Sequence, residues 1–64
     1  LVELEKEMKD FIKQGQKINA IKHYRGVMDR DFGTTISLKL AKYTVDALAN
    51  NISVDLTKGY DQKS

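Results

Sequence analysis

Apolar residues recur along this chain with a helical period in three separate stretches. Leu1, Leu4, Met8, Phe11 and Ile12 fall at i, i+3, i+7, i+10 and i+11, a single stripe. The opposite face carries Glu3, Glu5, Lys6, Glu7, Lys9, Asp10 and Lys13. This pattern predicts an amphipathic helix over 1–14. Acidic residues crowd its start, where the helix dipole favours negative charge, and Gly15 follows as a stop. Ala20, Ile21, Tyr24, Val27 and Met28 give a second stripe and predict a helix over 17–30. Only a tight turn separates the two, so they should form an antiparallel hairpin. Gly26 lies inside the second helix at a cost of roughly 1 kcal/mol relative to Ala. Close approach of another backbone is the expected compensation.

Residues 31–37 form a loop, with Ser37 as the N-cap of a third helix over 38–50. Leu38, Ala41, Val45, Leu48 and Ile52 make one stripe there, and Leu40, Tyr43 and Ala47 a second, offset from the first. A helix with two stripes must be covered on more than one side. The hairpin can cover about one. Leu40, Tyr43 and Ala47 are therefore expected to be buried, foremost by self-association as a homodimer and otherwise against a missing segment or a partner, since soluble monomers keep exposed apolar patches small. A further possibility is that the loop, through Phe32 and Ile36, or the tail, through Val54 and Leu56, folds over them. Residues 53–64 are polar and aperiodic. The chain should divide into a helical domain over 1–52 and a polar tail over 53–64, in an all-α fold of helical hairpin, loop and third helix.

Composition narrows the chemistry. The 64 residues contain no Cys, no Pro and one His, His23. Disulfides and cysteine nucleophiles are excluded, and so is a zinc site needing about four N/S ligands. A domain this small buries only ~60% of the surface of its unfolded chain, so it is marginal alone. The glycines are too scattered for a phosphate-binding loop. Asp31-Phe32-Gly33 matches the magnesium-binding triplet of protein kinases, but the chain is far too short for the rest of that signature. His23 sits at the edge of the second stripe, as a solvent-edge side chain. Tyr24 and Tyr43 lie on stripes as core residues. No enzyme activity, cofactor or metal is expected. Apolar runs are too short to span a bilayer, and no leader pattern is present, so a soluble cytoplasmic protein is expected. A start at Leu1 rather than Met fits a piece cut from a longer protein.

The net charge of +2 is unevenly spread. Residues 1–16 and 43–64 each carry a net −1, whereas 17–42 carry six cations against Asp29 and Asp31. Ile18, Lys22, Arg25 and Asp29 are spaced i, i+4, i+7 and i+11 and share one helix face, with Ile21 as its expected exposed aliphatic border. Lys17 stands at the helix start, and Lys39 and Lys42 can join from the third helix. Such a patch suits an acidic protein surface or phosphates, although an ordinary solvated face has the same composition.

Two runs carry a resemblance. Lys17-Ile18-Asn19-Ala20-Ile21-Lys22-His23-Tyr24-Arg25-Gly26 and Ile36-Ser37-Leu38-Lys39-Leu40-Ala41-Lys42-Tyr43-Thr44-Val45-Asp46 resemble the helical part of the C-terminal domain of the bacterial ribosomal stalk protein. The resemblance spans about residues 8–49. Leu40 and Tyr43 stand where that family usually has acidic residues, the loop at 29–36 is longer, and the family's strands are not visible. The resemblance implies that the helix bearing the Lys and Ile residues docks translation factors, through Lys17, Ile21, Lys22, Arg25, Lys39 and Lys42. A protein docking module with an acidic partner is the leading expectation. A small helix-turn-helix-like nucleic-acid binder is the alternative, with only Lys39, Lys42, Asn50 and Asn51 to offer a groove from the third helix. A helical hairpin completing a larger assembly ranks third.

Overall fold

The computed structural model describes residues 1–59. It contains three helices, α1 (Val2–Lys13), α2 (Lys17–Phe32) and α3 (Leu38–Ala49), and no strand among the described residues. Each helix packs against both of the others. The Cα radius of gyration is 10.4 Å, close to the ~11 Å of a compact chain of this length.

Each helix end follows from local sequence. At the end of α1, Gly15 takes φ +74°. This lets Gly15 N donate to Ile12 O at 3.0 Å and Gln16 N to Phe11 O at 2.8 Å, closing a Schellman motif. The chain reverses there and α2 begins at once. α2 runs two residues past the expected end, to Gly33 at φ +61°, where Met28 O accepts from Gly33 N and from Thr34 N at 2.9 Å. Nothing in Asp31-Phe32 breaks a helix, so the first residue able to adopt a left-handed conformation without strain sets the boundary. Ser37 caps α3 as expected, its Oγ accepting from Leu40 N at 3.2 Å. α3 ends in a second Schellman motif: Asn51 N donates to Leu48 O at 3.0 Å and Ile52 N to Ala47 O at 2.9 Å. Here the left-handed residue is Asn51, at φ +60°.

The core joins all three helices, with Leu4 and Met8 from α1, Ala20, Ile21, Tyr24 and Met28 from α2, and Ala41, Val45 and Leu48 from α3. Ile36 from the loop and Leu56 from the C-terminal segment complete it, each at most 4% exposed. Thr44 is fully buried and donates to Leu40 O at 2.9 Å, so its hydroxyl is satisfied inside its own helix.

Two expectations are corrected. Gly26 meets no backbone: a Cβ built there has nothing within 4 Å, so no close approach explains it. The packing also continues past the expected domain boundary at 52. Residues 52–59 form a strap across the helices, with Leu56 buried, Val54 packed on the core and Gly59 against Leu40. Residues 60–64 of the expected tail lie outside the described residues.

Candidate docking face on α2 and α3

Position on the helix decides which of the expected docking residues are available. Ile21 precedes Tyr24 and Met28 by three and seven residues, so it lies on their face and is buried. It is a core residue, not the exposed border of the basic stripe. Ile18 takes that place. It lies three residues earlier, rotated away from the core, and is 68% exposed. The apolar stripe of α2 already holds Ile21 and leaves Ile18 out, and the observed burial follows that stripe.

Around Ile18 the surface is aliphatic as well as basic. A shallow hollow of ≈ 520 Å³ opens where α1 turns into α2, lined by Ile12, Gly15, Gln16, Lys17, Ile18 and Asn19. Ile12 is half-buried there, one side on the core and the other on this hollow. Helical spacing alone assigns Ile12 wholly to the core. Its second role arises because Gly15 folds α2 back beside it.

The cations differ in their freedom. Lys17 Nζ lies 3.5 Å from Asp46 Oδ1, linking the start of α2 to α3. Both partners are about half exposed, so the pair contributes little stability. Arg25 is exposed but donates from Nε to Ile36 O at 3.0 Å, holding the loop against α2. Arg25 therefore has a structural duty as well as a place on the face. Lys39 extends over the Tyr43 ring at 5.9 Å. Lys22 and Lys42 are exposed and make no ion pair with the described residues. Asp29, further along the α2 stripe, is also exposed.

The three residues expected at a self-association face lie elsewhere. Ala47 is 1% exposed, inside the fold. Leu40 is half-buried beneath Gly59, whose missing Cβ would fall 2.8 Å from Leu40 Cγ. Tyr43 is half-buried. Gly59 of the chain's own strap lies against Leu40, one of the possibilities the pattern left open, and Ala47 is buried within the fold. A homodimer is therefore not needed to cover these two.

On the far side of the hairpin, His23 Nε2 lies 2.9 Å from Glu7 Oε1, and its ring meets Phe11 edge-on at 5.8 Å. These contacts clasp α1 to α2 at the edge of the stripe, as the position of His23 suggested. The most constrained polar group is Tyr24. Its ring is fully buried and its hydroxyl donates to Leu56 O at 2.6 Å. Burial raises its pKa, the Thr44 hydroxyl acts in the opposite sense, and the charge of Asp55 raises it further.

Among the described residues, no group of three or more His, Asp or Glu is placed to hold a metal ion, and no helix is long and apolar enough to cross a membrane. No protein-family model, curated protein or solved structure matches the chain.

Proposed function

We propose that this domain is a non-catalytic protein docking module whose outer α2 face, with Lys42 from α3, binds an acidic, partly apolar protein surface. The observation that carries the reading is Ile18. It is a large aliphatic side chain, 68% exposed, with no part in the core, and Lys22 follows it by one helical turn. An exposed aliphatic with an unpaired lysine one turn away and a second cation beside it is the composition of a small interface, where the apolar contact supplies affinity and the charges supply orientation and encounter rate. The hollow beside Ile12 gives the apolar contact some depth.

The resemblance to the stalk domain supports the same face. Of the positions it implies, Lys17, Lys22, Arg25, Lys39 and Lys42 are exposed and remain in the proposed face, whereas Ile21 is buried and Ile18 is proposed in its stead as the aliphatic contact. A translation factor is the partner class that the resemblance suggests.

The alternative is nucleic acid. Its support is the net positive charge of 17–42, but the surface intersperses Asp29 and Asp46 among the cations. Any such binding should be weak and without sequence preference. The two readings separate in a titration of the labelled domain with a purified bacterial translation elongation factor and, separately, with a duplex DNA oligonucleotide. Docking predicts saturable shifts centred on Ile18, Lys22 and Lys42 with the protein. Submicromolar, sequence-selective DNA binding at physiological salt, without protein binding, would overturn it.

A further inference from the structure

The strap over 52–59 is built differently from the helices it covers. Beyond Ile52 N, which donates to Ala47 O at 2.9 Å in the cap of α3, its turn is closed by internal hydrogen bonds. Asp55 Oδ1 accepts from Thr57 N at 3.0 Å and from Thr57 Oγ1 at 2.6 Å. Asp55 O accepts from Lys58 N at 3.1 Å and from Gly59 N at 2.8 Å. This turn would travel intact if the strap left the surface. What fixes it to the helices is apolar: Leu56 in the core, Val54 on it and Gly59 on Leu40. One further bond anchors it, from Tyr24 Oη to Leu56 O at 2.6 Å. The strap thus behaves as a short ligand joined to its own receptor groove.

The joint is the strained point. Asn51 holds φ +60°, a left-handed conformation that non-glycine residues adopt at a cost, although Asn bears it better than most. Extending Asn51 would release that strain and carry the strap away from its groove. A short strained hinge joined to an intact, separable element is the arrangement from which identical elements exchange between copies. The groove's demonstrated occupant is this strap, so the partner that fits it is a second copy of the chain.

We propose that the 52–59 strap exchanges reciprocally between two copies about Asn51, each strap filling the Tyr24–Leu40 groove of the other. The apolar contacts of the strap and its bond from Tyr24 are remade in the exchanged dimer, and the difference lies at the hinge, where extension also opens the Asn51–Leu48 and Ile52–Ala47 backbone bonds. The equilibrium therefore reads out the hinge. Asn51→Gly, at ease in the closed conformation, should lower the dimer fraction. Asn51→Val, worse in a left-handed conformation and better extended, should raise the dimerisation constant about tenfold or more, since the strain is felt at both hinges.

The test is sedimentation of the full chain and both variants after refolding at high concentration, with helicity measured by circular dichroism. It is joined to isotope-filtered NOEs in a dimer mixed from labelled and unlabelled chains. The expected result is a minor dimer for the wild type, less for Asn51→Gly and more for Asn51→Val. Contacts from Gly59 Hα to the Leu40 methyls should then be intermolecular. If Asn51→Val does not fold, the wild type against Asn51→Gly carries the comparison. Monomers throughout at high concentration overturn the proposal. So does a dimer whose Gly59–Leu40 contacts remain within one chain, or a dimer fraction that Asn51→Gly leaves unchanged.

Discussion

At the scale of single residues, Gly26 and Tyr24 give opposite lessons. Gly26 is helical, exposed and faces open space, so nothing in the fold requires a glycine. Gly26→Ala should raise stability by about 1 kcal/mol, the difference in helix propensity, visible as a higher melting temperature. A lower one would reveal a neighbour that the open surface does not show. Tyr24 is required in both its ring and its hydroxyl. Tyr24→Phe should cost about 1–3 kcal/mol in chemical denaturation, because it leaves the buried Leu56 carbonyl without its donor. It should also change the response to alkali. Burial raises the Tyr24 pKa above its ordinary value of 10.0, so ionisation is easier in the unfolded chain. Stability from this group is complete below about pH 10 and declines as pH rises towards the folded-state value. Tyr24→Phe should flatten that part of the alkaline decline.

At the scale of elements, the periodic pattern made α1 and α3 legible to within a residue at each end, and Ser37 and Gly15 marked a start and a stop. The end of α2 was less legible, because Asp31-Phe32 is compatible with either helix or loop and Gly33 decides. The strap was the least legible. Three of its residues, Val54, Leu56 and Gly59, make its contacts, and none lies in a periodic run. Burial of Leu56 is a tertiary fact, and the signal for it was indirect: a second apolar stripe on α3 that the hairpin cannot cover. Leu56→Ala should show the strap to be part of the fold, costing about 2–5 kcal/mol as a large-to-small core change. A loss near zero in a urea titration would mean that 53–59 is an appendage. Gly59→Ala should also destabilise, through its φ of +77° and its contact with Leu40.

At the scale of the whole molecule, the exposure of the residues in the proposed docking face was partly legible. The stripe of Ile18, Lys22 and Arg25 follows from spacing alone, and the same spacing sets Ile21 with Tyr24 and Met28 on the buried face, a conflict with its assignment as an exposed border that burial resolves. The loop duty of Arg25 depends on where Ile36 sits. These facts make Ile18 and Lys22 the informative pair for the docking reading, since neither is bound up in the fold. The most direct measurement is the affinity of Ile18→Asp/Lys22→Glu for the elongation factor, taken alongside its melting temperature. The account predicts at least a tenfold loss of binding, as expected for removal of an interface anchor, with a melting temperature close to that of the parent chain. Binding that survives with the fold intact would contradict it.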